Sequence, residues 1–579
     1  MKKRMLALIL SFCMITSAMC GCGNNDNNPG GGNDPVSGKP TAGPVASDKE
    51  IESRIRKVGK AYDGLYEYDD YSNGYKGMVM YEAVCEEEAV GMAVPAGDYA
   101  TGDSVSGSPR GVSADPDVYP YDDVDWNTEN YNAVKESGFV SVATQPFSTF
   151  GADVDTATYS NFRRSVYEND GYGITADAIR IEEMINYFSY DYPTPAAGEK
   201  FGTVMNLAPC PWNSDTLLLR VGIKAEEIIP EKGSNIVFLI DTSGSMFDNN
   251  KLPLAQEAFK LLQEQLSDKD TISIVTYAGG DKVVLEGAKG SDHEEIVEAI
   301  DSLEAWGSTN GEGGIKKAYE IAEKYFIEGG NNRILLATDG DLNVGVSSEA
   351  GLIELVEEKK ESGVFLSCLG FGSGNYQDDK MEALADHGNG NYSYIDCSRE
   401  AERVLKDEIN STLFTVAKDV KFQVEFNPDQ VKGYRLIGYE NRKMAAEDFA
   451  DDSKDGGEVG SGQCVTVLYE IVTTDSAYEI PEVESRYGSD DAASNGSDEL
   501  LTVSIRYKEP DEDTSKLLTY PIGKDSIAAE MDDDTSWAAG IAQFGMLIRG
   551  SEFAGTSDYQ SIRDRLKKDP RIMSDDFRA

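Results

Sequence analysis

The feature that most constrains the fold is the stretch from residue 234 to about 417, where apolar strands alternate with amphipathic helices. The predicted strands are Asn235–Ile240, Thr271–Tyr277, Arg333–Thr338, Val364–Phe371 and Asn391–Ile395. The predicted helices are about Leu252–Leu266, His293–Ala305, Gly313–Ile327, Ser348–Ser362 and Arg399–Val416. Continuously apolar strands separated by helices predict a doubly wound α/β domain whose mostly parallel sheet is covered on both faces.

The segments on both sides of this stretch have a period of two. Apolar and polar residues alternate in Leu217–Ile223, Val420–Phe426, Val465–Ile471 and Leu501–Tyr507. This period is typical of antiparallel strands with one polar face. We therefore expect a β-rich, sandwich-like domain built from both flanks, with the α/β domain inserted into it. The predicted divisions are 1–21 (leader), 22–120 (linker), 124–232 (N-terminal flank, helices plus strands), 233–417 (α/β) and 418–568 (β-rich, with a terminal helix).

The first residues predict export. Residues 2–4 are basic, and Met5–Met19 is a mostly apolar run that is too short to span a bilayer. The small residue Gly21 precedes Cys22, which resembles a bacterial lipobox. We expect a lipoprotein that is anchored by Cys22, or alternatively by Cys20, to the extracytoplasmic face of the bacterial cell membrane. Plain secretion is the other interpretation.

Residues 22–120 are rich in Gly, Pro and acidic residues, so they predict a disordered linker with one helix at about Lys49–Tyr62. The net charge of −50 disfavours nucleic acid as a partner and favours divalent cations near the surface. No later run reaches membrane-spanning length, so we expect membrane contact only through the lipid.

Three loops carry oxygen donors beyond predicted strand ends. Asp241, Ser243 and Ser245 follow the first strand, Thr309 precedes a helix, and Asp339 follows the third strand. In a parallel sheet, ligands bind beyond the carboxyl ends of the strands. Carboxylates and hydroxyls suit hard cations such as Mg²⁺, Mn²⁺ or Ca²⁺. The alternative is that these side chains only cap helices.

This pattern resembles the metal-ion-dependent adhesion site of von Willebrand factor type A and integrin I domains. The resemblance implies that Asp241, Ser243, Ser245, Thr309 and Asp339 hold Mg²⁺, or else Mn²⁺ or Ca²⁺. It also implies an open metal position for an acidic residue of a protein or extracellular matrix ligand. Asp341 is either a supporting residue behind the ligands or a solvated turn carboxylate.

Phrases outside the α/β stretch resemble bacterial von Willebrand factor type A lipoproteins, which have often been labelled Ca²⁺-activated chloride channel homologues. These phrases are Phe147–Phe150, Asp153–Thr156, Arg180–Phe188, Ala208–Trp212, Tyr434–Arg442, Leu501–Val503 and Arg506–Pro510. The missing membrane spans argue against a self-contained channel. Asp153 and Asp155 suggest either a second metal site or, as we expect, a turn or capping role, because the spacing of a Ca²⁺-binding EF-hand is missing.

An enzyme is not expected. His293 and His387 are the only histidines, and neither is paired in sequence with a placed nucleophile. The remaining alternatives are an envelope assembly lipoprotein whose metal only stabilises the fold, a metal-dependent hydrolase, and a partner of a chaperone-like ATPase, against which the leader argues. Buried free thiols are expected at the scattered cysteines, with a Cys368–Cys397 disulfide as the alternative.

Overall fold

The computed structural model describes residues 46–62, 65, 128–169, 174–228, 232–340, 342, 349–360, 362–480, 496–510 and 512–579, all within one unit, Val45–Ala579. The strands are β1 Val140–Ser141, β2 Phe147–Gly151, β3 Phe201–Pro209, β4 Leu217–Ala225, β5 Ser234–Asp241, β6 Thr271–Tyr277, β7 Asp281–Lys289, β8 Asn331–Thr338, β9 Phe365–Phe371, β10 Tyr392–Ile395, β11 Thr415–Phe426, β12 Val431–Ile437, β13 Lys443–Met444, β14 Gly457–Gly460, β15 Cys464–Thr473, β16 Glu499–Lys508 and β17 Lys516–Gly523. The helices are α1 Asp48–Lys60, α2 Ala157–Asn169, α3 Ile181–Asn186, α4 Leu252–Gln263, α5 His293–Asp301, α6 Gly311–Lys324, α7 Glu349–Lys360, α8 Asp378–His387, α9 Ser398–Glu402, α10 Ile409–Leu413, α11 Asp533–Arg549 and α12 Tyr559–Leu566.

The α/β segment is a six-stranded sheet in the order β10-β9-β8-β5-β6-β7. All neighbouring pairs are parallel except β6 and β7, which are antiparallel. Helices α4, α5, α9 and α10 pack on one face, and α6, α7 and α8 pack on the other. The predicted doubly wound, mostly parallel sheet is therefore confirmed.

Three local features of this domain differ from the expectation. The edge strand β7 was not predicted, because most of its residues are solvent-exposed or half-buried and lack an apolar run. Helix α8 was not predicted because it buries acidic residues together with apolar ones, which hides its amphipathic period. The expected continuous helix Arg399–Val416 is broken into α9, a π-helical turn at Arg403–Asp407 and α10.

The flanks form two antiparallel sheets that face each other. One has the order β1-β12-β15-β4-β3, and the other has β13-β2-β11-β16-β17, with β14 paired to β11. Each sheet contains strands from before and after the α/β segment, and one shared apolar core lies between the sheets. The α/β domain is therefore inserted in a β-sandwich built from both flanks, as predicted. Helices α3 and α11 cover the outer face of the first sheet.

Helix α1 lies in the segment for which the sequence predicts a linker with one helix. Ser47 and Glu50 form a reciprocal capping box at its start. Arg54 pairs with Asp576 at 2.6 Å, and the Tyr62 hydroxyl donates to Asp396. These two contacts hold the helix against the rest of the folded unit, although its sequence is mostly polar. No helix in the described part of the chain is both long and apolar enough to cross a bilayer.

Candidate metal centre

Asp241 and Asp339 lie at the same edge of the α/β sheet. Asp241 is the last residue of β5, and Asp339 directly follows β8. The two strands are parallel neighbours, with Ile240 paired to Ala337. Both aspartates are fully buried. The structure therefore brings the two predicted carboxylates together beyond the carboxyl ends of the strands, where ligands bind in such sheets.

The loop after β5 holds its donors in a fixed arrangement. The Ser243 amide donates to Asp241 Oδ1 at 2.8 Å, and the Thr338 hydroxyl donates to Asp241 Oδ2 at 2.8 Å. The hydroxyl oxygens of Ser243 and Ser245 are 3.0 Å apart. Three predicted metal-binding side chains thus converge within one tight turn.

A second loop, residues 306–310, is tied to the first by two backbone hydrogen bonds. The Trp306 amide donates to the Thr242 carbonyl at 2.7 Å, and the Gly244 amide donates to the Gly307 carbonyl at 2.9 Å. Gly307 has a φ of +92°, a backbone conformation that favours glycine. This turn places the buried Thr309 just before α6, beside the loop that carries Ser243 and Ser245.

The electrostatics of the site favour a cation. Burial, and after it the negative charge of Asp339, raise the pKa of Asp241 to about 6. Hydrogen bonds from Ser243 and Thr338 lower the pKa and only partly offset this. Two buried carboxylates that repel each other are stabilised when a positive charge lies between them.

Lys251 supplies one positive charge from within the chain. Its Nζ lies 3.1 Å from Asp339 Oδ2 and 2.7 Å from Asn375 Oδ1. The Asn375 amide nitrogen donates to the same Asp339 oxygen at 2.9 Å. The lysine side chain runs over Gly372, where a Cβ would lie 2.4 Å from Lys251 Cε. Asp339 is thus held in place by two donors on the side of Lys251.

The donor set fits a hard divalent cation. Within the described ranges, no three His, Cys, Asp or Glu side chains cluster in a way that could hold a metal. The centre instead combines two carboxylates with the hydroxyls of two serines and a threonine. Oxygen-only donors of this kind suit Mg²⁺ or Mn²⁺ and do not suit a soft metal.

Several residues around this centre escape prediction from the sequence. Lys251 and Asn375 reach Asp339 from outside the motif, and no local pattern marks either of them. The aromatic side chains of Phe247 and Trp306 lie on the two donor loops and are exposed. These two residues could have been found from the sequence, because each is a large apolar residue close to the predicted donors. Phe247 follows Ser245 by two positions, and Trp306 precedes the turn glycine Gly307.

Other sequence predictions have varied outcomes. Asp341 and the lipidation residues Cys22 and Cys20 lie outside the described residues. Cys368 and Cys397 are both buried free thiols, so the alternative of a disulfide between them is wrong.

Asp153 and Asp155 are buried acceptors at the junction of the domains. Asp153 Oδ1 accepts from the Asp155 amide at 2.9 Å, which is the expected turn role. Arg442 contacts Asp153 at 3.3 Å and Asp155 at 3.1 Å. The two carboxylates therefore serve as acceptors for an arginine and for backbone amides.

Helix α8 is joined to both flanks by ion pairs, buried on the side of Arg180 and partly buried on the side of Arg442. Arg180, from the N-terminal flank, contacts Asp378 at 2.6 Å and Glu382 at 3.0 Å. Arg442, from the C-terminal flank, contacts Asp386 at 2.6 Å. Two of the motif phrases singled out in the sequence, around Arg180 and Arg442, thus meet on one helix of the α/β domain.

Three family models match the chain along nearly all of its described length beyond α1. The model for von Willebrand factor matches residues 125–220, the von Willebrand factor type A domain matches 235–410, and the C-terminal domain of the uncharacterised protein YfbK matches 411–577.

Among curated proteins, the chain is 43% identical to YfbK of Escherichia coli over 447 residues, covering 75% of this chain and 77% of YfbK. It is 28% identical to the protein sll0103 of Synechocystis over 34% of this chain and 45% of that protein. It is 27% identical to human inter-alpha-trypsin inhibitor heavy chain H3 over 33% of this chain and 22% of that protein. The chain thus spans less than half of the latter two relatives.

Among solved structures, a von Willebrand factor type A protein from Catenulispora acidiphila is similar at a TM-score of 0.38 and 16% identity, covering 63% of this chain and 89% of that chain. The ArnB paralogue VWA2 from Sulfolobus acidocaldarius is similar at a TM-score of 0.31 and 17% identity, covering 66% of this chain and 97% of that chain.

Proposed function

This chain belongs to the family of bacterial von Willebrand factor type A proteins that includes YfbK of Escherichia coli, and from that premise we propose that it is a metal-dependent binding protein. Its partner is a protein or extracellular matrix component that presents an Asp or Glu carboxylate. The residues that hold the metal are Asp241, Ser243, Ser245, Thr309 and Asp339. The bound cation, Mg²⁺ or Mn²⁺, supplies an electrophilic position for the partner's carboxylate.

The single observation that carries this proposal is the convergence of oxygen donors around two carboxylates that repel each other. Asp241 and Asp339 follow neighbouring parallel strands, and the charge of one raises the pKa of the other. The hydroxyls of Ser243 and Ser245 lie beside Asp241. This set of oxygen donors suits a hard divalent cation.

Lys251 supports a binding role over a purely structural one. Its contact with Asp339 offsets one of the two negative charges, and the other donors of the site are neutral hydroxyls. A cation held by such a set keeps much of its positive charge, which favours an added carboxylate ligand. The positive charge that the bound cation keeps would also allow a chain with a net charge of −50 to bind an acidic ligand.

We further propose that the protein acts on the extracytoplasmic face of the bacterial membrane, anchored by a lipid on Cys22 or Cys20. The basic residues 2–4, the apolar run after them and Gly21 before Cys22 support this location. No catalytic role is proposed; His387 pairs with the exposed Glu357.

The test compares metal uptake, partner capture and melting temperature. Titration calorimetry measures Mn²⁺ and Mg²⁺ binding to the full chain and to Asp241→Asn, which keeps the size of the side chain. Capture from cell-surface extracts is then compared in Mg²⁺ and in chelator. The matched control is Glu320→Gln, an exposed carboxylate on α6 of the same domain.

We expect Asp241→Asn to lose metal uptake and capture while its melting temperature in chelator is equal to or higher than that of the parent chain. If capture persists in chelator or in Asp241→Asn, the binding proposal fails. A metal that only stabilises the fold would instead give no Mg²⁺-dependent capture, together with a drop of several degrees in the Mg²⁺-bound melting temperature of the variant.

A further inference from the structure

Two exposed aromatic side chains flank the candidate metal centre. Eight large hydrophobic side chains are exposed in the described part of the chain, and Trp306, at 83%, and Phe247, at 70%, are the most exposed of them. Solvent-exposed tryptophan is unusual on a soluble surface, and such residues dominate binding energy when they lie at interfaces. Because both side chains lie on the loops of the candidate metal centre, we expect them to take part in binding at that centre.

The backbones that carry these rings are fixed next to the metal-binding side chains. Phe247 ends the short 3-10 turn Gly244–Phe247, two residues after Ser245. The Trp306 amide donates to the Thr242 carbonyl at 2.7 Å, one residue before Gly307. The two rings therefore extend from two loops that are hydrogen-bonded to each other, one on each donor loop of the centre.

The charged residues near these rings limit which kind of ligand can cover them. Asp248 is the exposed charged residue of the loop that carries Phe247, and Glu304 lies exposed two positions before Trp306. Both are acidic, as is the chain as a whole. Exposed acidic side chains on the loops that carry the rings attract cations, as the ring faces themselves do, so a ligand with many negative charges is repelled by the surface around the proposed metal.

We propose that Phe247 and Trp306 form an aromatic rim that selects a polypeptide segment with one Asp or Glu, flanked by large apolar side chains and then by basic ones. The inference rests on the proposed function, because the carboxylate binds the metal held by Asp241 and Asp339. The apolar neighbours cover the two rings, and the basic residues face Asp248 and Glu304. An acidic polysaccharide matches the metal but not this pattern of charge.

The test uses synthetic heptapeptides with one central aspartate. In the first peptide the aspartate lies between two leucines, and a lysine lies outside each leucine. In the second the leucines are replaced by serines, and in the third the aspartate is replaced by asparagine. An oligogalacturonate is the acidic carbohydrate probe. Binding to the full chain in Mg²⁺ is measured by biosensor, and the shielding of tryptophan fluorescence from acrylamide is followed in parallel.

The variants are Phe247→Ala, Trp306→Ala and Asp241→Asn, with Leu517→Ala as the matched control, because Leu517 is a 51% exposed apolar side chain on β17, outside the α/β domain. We expect each aromatic variant to bind the leucine peptide at least about fivefold more weakly with unchanged Mn²⁺ uptake. The serine peptide should bind the parent chain with a similar loss, and the asparagine peptide should not bind.

The outcomes separate the two proposals. If the aromatic variants bind the leucine peptide as the parent does, or if the serine peptide binds equally well, the aromatic rim is wrong while metal-dependent binding stands. If no peptide binds the metal-loaded parent chain, the proposal that Phe247 and Trp306 bind a polypeptide is also wrong. If oligogalacturonate binds through the rings in place of the peptides, the polypeptide assignment is wrong. Metal uptake or peptide binding that survives in Asp241→Asn overturns the proposed function itself.

Discussion

The ammonium nitrogen of Lys251 lies 3.1 Å from Oδ2 of Asp339, so the chain brings its own cation to a carboxylate of the candidate metal centre. Both side chains are buried, and Asn375 bonds to both of them. A metal and an ammonium group that share one carboxylate repel each other. We therefore expect Lys251 to weaken the binding of the proposed divalent cation.

Replacing Lys251 by Met keeps the length of the buried side chain and removes its charge. We expect Lys251→Met to bind Mg²⁺ about tenfold more tightly, because the repulsion between the two cations is lost. Calorimetry measures the affinity, with Lys260→Met on α4 as the control for loss of a partly exposed lysine. A weaker affinity in Lys251→Met would show that the lysine acts mainly by ordering Asp339.

Metal binding should depend on pH through Asp241. The pKa of this carboxyl in the folded, metal-free chain is raised to about 6, and the metal binds the deprotonated form. We expect Mg²⁺ affinity to fall about tenfold per pH unit below about pH 6 and to level off above pH 7. Calorimetry from about pH 4.5 to about pH 7.5, which is about 1.5 units on either side of the raised pKa, tests this. An affinity that stays flat down to pH 5 contradicts it.

The same raised pKa of Asp241 makes the metal-free chain less stable as the pH rises. Because the folded-state pKa of Asp241 lies above the unfolded value, the favourable contribution of its protonated form is fully present below about pH 4. That contribution is lost as the pH rises through about 6. In chelator, Asp241→Asn should therefore gain stability relative to the parent chain as the pH rises from about 4 to about 6, and it should keep that advantage at higher pH.

Removing Arg442 should destabilise the junction of the domains. Its guanidinium contacts the buried Asp153 and Asp155 and the partly exposed Asp386, and its loss leaves these carboxylates without their shared partner. We expect Arg442→Met to lower the free energy of unfolding by about 3–5 kcal/mol, measured with denaturant. Arg399→Met, which removes a more exposed arginine, should change it by less than about 0.5 kcal/mol. A cost below about 1 kcal/mol for Arg442→Met would contradict a role in holding the domains together.

The buried thiols should resist modification. Burial is the largest of the effects that raise the pKa of Cys368 and of Cys397, and the reactive species is the thiolate. We expect neither residue to be labelled by a maleimide in the native chain, whereas both should be labelled in denaturant. Peptide mass spectrometry assigns the labelled positions. Native labelling of Cys368 would contradict its burial within the α/β core.

The sheet and the donor loops could be predicted from the sequence because the signal is local. Ile236–Ile240 of β5 and Ile334–Ala337 of β8 are continuously apolar. Asp241 ends β5 and Asp339 directly follows β8. Lys251 could not be predicted, since a lysine after two asparagines has the local sequence of a solvated turn. Its role depends on Gly372 and Asn375, which lie far away along the chain and leave space and a hydrogen bond for its side chain.

Helix α8 shows the same limit in the interior of the molecule. Asp378 and Glu382 are buried because Arg180, almost two hundred residues earlier in the sequence, neutralises them. Periodicity of apolar residues does not reveal a helix whose buried face is charged. Long-range ion pairing therefore hid α8 and solvent exposure hid the edge strand β7, whereas local apolar patterning revealed the elements that were predicted.

The division of the β-sandwich between the two flanks sets an order of events during synthesis. β2 pairs with β11 and β13, and β4 pairs with β15, so these partners leave the ribosome only after the whole α/β segment. The parallel sheet of that segment closes on contacts nearer in sequence and is free to fold meanwhile. The strands of the N-terminal flank are thus made before the α/β domain, but their edges stay unpaired until the chain is nearly complete. During that interval the unpaired edges are open to pairing with the wrong strand.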